Sequence, residues 1–485
     1  MKKTLSLLLA LLMLLAVLPA AAEETKEPVT ITFGGWGDIV LLHEQVEKFE
    51  EKYPWINVEI VKPAGKDWYT ADLQKLATEG NMPDVFNVED ILRFYANGWL
   101  YDMTELFEND PDSASYPAWT LPYCYVDGKL VALYGALYAY GIEVNLSLLD
   151  ELNIEAPDYD WTIDEWADLL RQTTVPGVSF GCDSLVPFYE YLIPQLDPSL
   201  NCFGYNSTTH TWEESEAMLT SLNLVKDLAQ EGVSMEEASR LKFGNYSESE
   251  EKTAARTTWL SETLGATDSL WSRGKYAMRV NGSWAMNWDT SSNTAYSGFD
   301  WAFYPFPSAV EGELGRTALL NEYLGISSTC EHPEEAYLLL KYMSYDMDGY
   351  EAKVDHMVNN DRDAMIAKYP DIDPQYIPSK IKIWLLGVSD DPRADEIFAK
   401  MKVEKFEGLA LAFANRNNNA FMLPDRYALD WWNCYGQNEW QILTNMIGND
   451  TDPAEVMKNI VQYCENANQT AKKANGESVA FRMPD

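Results

Sequence analysis

Apolar positions along the chain recur with two periods, and their order predicts the architecture. Val29 to Phe33 (VTITF) alternates apolar and polar side chains, as a half-buried strand does. Leu42, Val46, Phe49 and Tyr53 then recur at spacings of four, three and four, the stripe of an amphipathic helix. Asn57 to Val61 reads as a second strand, so the chain opens on a β-α-β unit, and such units build parallel sheets with crossover helices. Val85 to Val88 and Tyr323 to Ser327 are further apolar strands. Thr162-Ile163-Asp164-Glu165 is a Thr-x-x-Glu capping box opening a helix. Pro333 opens another, with Ala336, Leu340 and Met343 on one face, and Asp452-Pro453 caps a closing helix with Val456, Ile460 and Tyr463 inward.

One segment combines a strand with aromatic side chains. In GKYAMRVNGSWAMNW (Gly274 to Trp288), Ala277 to Val280 reads as a buried strand, Asn281-Gly282-Ser283 as a tight turn, and Trp284 and Trp288 follow. A tryptophan just past a strand end aims a flat apolar plate into a cleft. The competing reading makes the two tryptophans, four apart, the core face of a helix.

The N-terminus sets the compartment. Two lysines, an apolar run from Leu5 to Leu18 and Ala20-Ala21-Ala22 before Glu23 form a secretory signal peptide, cut after Ala22. The run is shorter than the about 20 residues of a spanning helix. No cysteine lies near the cleavage site to carry a lipid, so the mature protein is expected to be exported, extracellular or periplasmic, and soluble. Removing residues 1–22 takes two lysines from 36 bases, leaving 34 against 76 acids, a net −42. Such a charge repels phosphate backbones and anionic lipid surfaces, which argues against nucleic-acid and membrane-surface functions. The six cysteines stand singly, with no C-x-x-C and none beside a histidine, so no metal or redox centre is expected. Export permits disulfides, and Cys182 with Cys202 would close a plausible loop.

The segment around Trp284 resembles the "GkaAM…nGpW" stretch of the extracellular solute-binding proteins that feed sugar ABC importers, the family of maltose-binding protein. Further segments resemble that family in order along residues 29 to 472. Leu76 to Asp102 is similar to its "G-x-x-PDV" strand start, and Asp127 to Asn145 to its hinge approach, with Tyr134-Gly135 where relatives place proline. Pro157 to Leu170 is similar to its "P-x-TW-x-E" helix start, with the tryptophan and threonine swapped. Gly298 to Pro307 resembles its strand that crosses back toward the first domain, and Glu322 to Met343 its "gIs…s-n-p-e-A" pattern. Residues 182 to 274 resemble nothing specific. The resemblance implies an α/β, two-lobe periplasmic-binding-protein (Venus-flytrap) fold of type II with hinge-linked discontinuous domains. Lobe 1 would comprise 29–140 and 306–345, and lobe 2 141–305 and 346–485. It also implies hinge closure around a carbohydrate, most simply an oligosaccharide, and docking of a monomer on the transmembrane subunits of an ABC permease, with no cofactor and no catalysis.

A sugar offers hydroxyls and two apolar faces, so its binder needs planar carboxylates and aromatic plates. Gly34-Gly35-Trp36-Gly37-Asp38, the first β-α turn, supplies Trp36 as a plate and Asp38 as an acceptor of two hydroxyls; Asp38 alternatively caps the helix. Glu89 and Asp90 stand at the carboxyl end of Val85–Val88, where open α/β sheets bind ligands, and Asp90 also suits a helix cap. By the resemblance Trp284 matches the tryptophan that stacks on a sugar ring, Asp38 a sugar-binding aspartate, and Tyr138 falls where a relative has a hydroxyl-binding carboxylate. Asp430, Trp432 and Tyr435, with neighbouring Trp431, lie where the family's last helix places an aromatic over the cleft. Two other classes share this composition. A secreted glycosidase also carries aromatics and a carboxylate pair, but no glycosidase motif is recognised and no H-E-x-x-H is present. A ligand-sensing partner of a membrane receptor would share the fold and the cleft.

Overall fold

The structure is a computed structural model that describes residues 26–484 apart from 36–38, 62–69, 89, 207–208, 210, 245, 269, 285–298, 360, 373, 375–376, 378–387, 402–406, 418–419, 423–444 and 476–482. Strand β1 (Val29–Gly34) leads into helix α1 (Ile39–Lys52), and β2 (Ile56–Ile60) returns parallel to β1 with Val29 opposite Ile56. The expected stripe is the buried one: Leu42, Val46 and Phe49 face the core, and Tyr53 lies just past the helix end, its ring 4.9 Å from Phe49. Strand β3 (Val85–Val88) pairs parallel with β1 on its other edge and is buried throughout; helix α2 (Ile91–Ala96) follows it. Parallel strands covered on both faces carry such continuous apolar runs.

Two long strands carry the sheet onward. β4 (Leu133–Asn145) is thirteen residues long, and after it come helix α3 (Ile163–Gln172), strand β5 (Phe180–Cys182), and helices α4 (Val186–Leu196) and α5 (Met235–Phe243). Strands β6 (Tyr276–Gly282), β7 (Trp301–Tyr304) and β8 (Thr317–Ile326) precede helices α6 (Pro333–Ser344) and α7 (Met347–Asn359). Strand β9 (Ala420–Met422) and the closing helix α8 (Pro453–Asn475) complete the labelled elements. Among the described residues nine strands form one sheet in the order β2-β1-β3-β8-β4-β6-β5, with β7 paired to β4 and β9 to β8. The parallel group β2-β1-β3 and the pair β6-β5 therefore sit at opposite ends, joined through antiparallel β8 and β4.

The β4–β8 junction is irregular at one point. Glu322 lies opposite Ala136 and Tyr323 opposite Tyr134, so Gly135 is an extra residue in β4, a bulge that bends the strand. A Cβ on Gly135 would stand 2.8 Å from Leu324 Cδ1, so a larger residue here would require the Leu324 side chain to shift. Its freed carbonyl accepts a hydrogen bond from Lys353 Nζ of α7 at 3.1 Å. Tyr134-Gly135, which departs from the family pattern, is thus a built feature of the crossing strand.

Local signals in the sequence are reproduced closely. The Thr162–Glu165 capping box forms reciprocally, with Glu165 N to Thr162 Oγ1 at 3.2 Å and Thr162 N to Glu165 Oε2 at 2.7 Å. The proposed Cys182–Cys202 bridge does not form: both are buried and unbridged, Cys182 at the end of β5 and Cys202 in a short 3-10 turn. A core this large is stable without staples. No described helix is long and apolar enough to cross a membrane, and the proposed signal segment, residues 1–22, lies outside the described residues.

Candidate functional site

Of the sequence-predicted site residues, Trp36, Asp38, Glu89, Trp288, Asp430, Trp432 and Tyr435 lie outside the described residues. The structure places Asp90, Tyr138 and Trp284. Asp90 is the N-cap of α2 and accepts from Arg93 N at 3.0 Å, which meets one of the expectations held for it. Tyr138, on β4, has a buried ring, and its hydroxyl reaches Glu322 Oε2 of β8 at 3.5 Å, the long end of a hydrogen bond. The carboxylate beside Tyr138 thus comes from a strand 184 residues further along the chain.

Trp284 follows directly on the β6 turn. Its side chain is 38% exposed, among the few large apolar side chains at the surface of the described residues. Ser283, completely buried, ties this turn to β4: its N–H donates to Ala139 O at 2.8 Å, and its Oγ accepts from Ala139 N at 3.2 Å. The indole Nε1–H donates to the Tyr140 hydroxyl at 3.2 Å. The turn thus ends on a partly exposed tryptophan ring.

Below the turn, β4 and β6 pair charges across the sheet. Arg279 stands directly opposite Glu143. Its Nε donates to the fully buried Glu143 carboxylate at 2.5 Å, Asn281 Nδ2 donates to the other oxygen at 3.0 Å, and the guanidinium sits 4.6 Å over the Trp271 ring. A buried carboxylate held by a facing guanidinium and an amide meets the conditions under which burial of charge is tolerated. At the carboxyl end of β5, Asp183 Oδ1 accepts from Ser184 N at 2.8 Å, and Ser184 Oγ donates to Glu237 Oε1 at 2.8 Å. Glu237, completely buried, also accepts from Leu185 N at 3.1 Å and from Ser234 Oγ. Burial pushes the Asp183 carboxyl up to about 7, with the Glu237 charge adding to the rise and the Ser184 N–H and Arg279 opposing it. Burial likewise raises Glu237 against its three donors. Under the bulge, burial lowers Lys353 to about 8, and the nearby Glu322 charge resists that shift.

Sequence reasoning missed Tyr140, Glu143, Arg279, Asp183 and Glu322. Only the β4–β6 register signals the first three, since their contacts span 136 to 144 residues. A charged cavity of about 650 Å³ lies elsewhere, between α1 and α7. Its cations are already paired, Lys52 with Asp346 and Asp348, and Lys368 with Glu44 and Glu47, and it offers no exposed indole. Among the described residues no group of three or more His, Cys, Asp or Glu side chains is arranged to hold a metal ion.

The sheet thus joins two parallel groups through the crossing strands β8 and β4, with Trp284 on the turn beside the crossing. The model of the bacterial extracellular solute-binding protein family matches residues 36–346, and the chain belongs to that family. Solved structures share the type II two-lobe fold of periplasmic sugar-binding proteins. An ABC substrate-binding protein from Listeria monocytogenes in complex with cycloalternan is 17% identical, with a TM-score of 0.63 over 92% of this chain and 99% of that one. The sugar-binding protein MalE from Xanthomonas citri is 14% identical, with a TM-score of 0.63 over 92% and 99%. RafE in complex with raffinose is 16% identical, with a TM-score of 0.56 over 91% and 100%; the apo form of RafE is from Streptococcus pneumoniae. No curated protein matches the chain.

Proposed function

We propose that this chain is the exported substrate-binding protein of an ABC importer that captures a carbohydrate, most simply an oligosaccharide, between its lobes and delivers it to the permease. The observation that carries this reading is the exposed Trp284 indole, fixed at the end of β6 beside the crossing strands. The weakly positive C–H face of a pyranose is attracted to an indole face beyond what area burial alone gives. Sugars bound by structural neighbours, cycloalternan and raffinose, support the same ligand class. Lobe 1 would be 29–140 with 306–345, and lobe 2 141–305 with 346–485. The packing of α7 on α1 and α6 favours moving that helix to lobe 1. Trp36, Asp38, Glu89 and Asp90 would meet the ligand from lobe 1, and Trp284, Trp288 and the Asp430–Tyr435 group from lobe 2. Ligand contacts to both lobes favour the closed form, because only differential binding shifts such an equilibrium.

The second reading, a secreted hydrolase, draws on Asp183, whose raised carboxyl suits a general acid. Its neighbour Glu237 is completely buried and held by three donors, so it cannot reach a glycosidic bond as the second carboxylate. A thermal-shift screen of residues 23–485 against mono- and oligosaccharides separates the readings, since a ligand specific to the folded state raises Tm with saturation. A shift with unchanged sugar, abolished by Trp284→Ala, supports the receptor. Silence across the panel sinks the sugar reading, and consumption of an oligosaccharide promotes the hydrolase.

A further inference from the structure

Tyr140 of β4 and Gly282 of β6 meet the Trp284 indole, and two further aromatic rings back Tyr140. Tyr140, directly opposite Gly282 in the β4–β6 register, takes the indole N–H on its hydroxyl at 3.2 Å. The Tyr140 ring lies parallel to Tyr191 of α4, with centroids 5.9 Å apart and planes 25° apart. Tyr191 in turn stacks on Phe306, just after β7, at 4.4 Å and 18°. Gly282 leaves room for the pyrrole edge, for a Cβ there would fall 2.4 Å from Nε1 and 2.7 Å from Cδ1 of Trp284. The indole therefore has one edge seated on backbone and hydroxyl while the side chain keeps 38% of its surface exposed.

We propose that Tyr140 and Gly282 are the positioning residues of Trp284, fixing its indole so that it offers a ligand a ring face and no N–H donor. The inference rests on the sugar-receptor reading for what the ligand is, but the fixing itself is a property of the free protein. A plate whose donor is consumed reads the apolar ring face alone and gives no hydrogen bond to a hydroxyl at that subsite. Ordering the side chain before binding removes a cost that a mobile tryptophan would incur on each binding event. The Tyr140–Tyr191–Phe306 stack holds the tyrosine in turn, so a change at Phe306 should reach the plate through two rings.

The test uses the mature chain with ¹⁵N-labelled tryptophan, the Trp284 indole signal being assigned by its loss in Trp284→Phe. Hydrogen exchange of that Nε1–H is measured in the parent, in Tyr140→Phe and in Gly282→Ala, beside the Kd for raffinose and for maltotriose. Tyr140→Phe keeps the ring stack and removes only the acceptor. It is expected to speed exchange about tenfold or more and to weaken sugar binding about 3- to 10-fold, the worth of one hydrogen bond, with Tm retained. Gly282→Ala, which pushes the indole off its seat, is expected to weaken binding further. Unchanged exchange in Tyr140→Phe overturns the fixing, and faster exchange with unchanged affinity overturns its role in binding. A parent chain that binds neither sugar overturns the receptor reading and the binding half of the proposal, while the exchange rates still decide the fixing.

Discussion

The start of α3 and the end of β6 each present a tryptophan beside a turn, and the two have opposite fates. Trp161 is 1% exposed; its indole donates to Pro305 O at 2.9 Å and its ring packs 5.3 Å from Tyr304. Trp284 is 38% exposed, and its indole donates to a tyrosine hydroxyl at the surface of the same sheet. Both N–H groups are satisfied, as amphipathic aromatics require. What separates them is how much of the ring the fold covers, so a high tryptophan content says little about function until burial is known.

Removing each side chain breaks this comparison most directly. Trp161→Ala is expected to cost about 3–5 kcal/mol in urea unfolding, as loss of a buried indole does, whereas Trp284→Ala should cost less than about 1 kcal/mol. Equal costs would show that Trp284 is core after all. The affinities should run the other way: Trp284→Ala weakens sugar binding at least about 10-fold by titration calorimetry, and the folded fraction of Trp161→Ala binds as the parent does.

The comparison sharpens at Asp183, which separates structural burial from ligand access in the same lobe. Its carboxyl titrates near 7 in the folded chain against an ordinary value of 3.8, so the folded state holds the proton longer. The stability this contributes is present at acid pH and is lost as pH rises toward 7. Asp183→Asn should therefore raise Tm relative to the parent at pH 8 and not at pH 4; an equal shift at both would place the titration elsewhere. The smallest expected effect concerns the thiols. With no disulfide at Cys124, Cys182, Cys202, Cys330 or Cys464, millimolar reductant should leave Tm unchanged within about 1 °C, and a fall would reveal a bridge.

Much of the scaffold was legible because its signals are local. Val85–Val88, the Thr162 capping box and the helix opened by Pro333 depend on residues within one turn or strand of each other, and each forms where the pattern placed it. Asp90 carried two readings, and its backbone contact to Arg93 N shows the capping one. The site was less legible. Trp284 stood out through its motif, but Tyr140 looked like any strand tyrosine. The β4 bulge was visible only as a departure at Gly135, without the register that explains it.

The sequence by itself determined the periods, the caps and the family, because these follow from side chains a few residues apart and from motifs in a fixed order. Only the tertiary structure decided which tryptophan is exposed, which cysteines stay unbridged and which carboxylate meets which cation. Glu143 and Arg279 lie 136 residues apart, and Tyr140 and Trp284 144. Neither residue of such a pair constrains the other until the register of β4 with β6 sets them side by side, and burial then fixes the charge and hydrogen bonding each can keep.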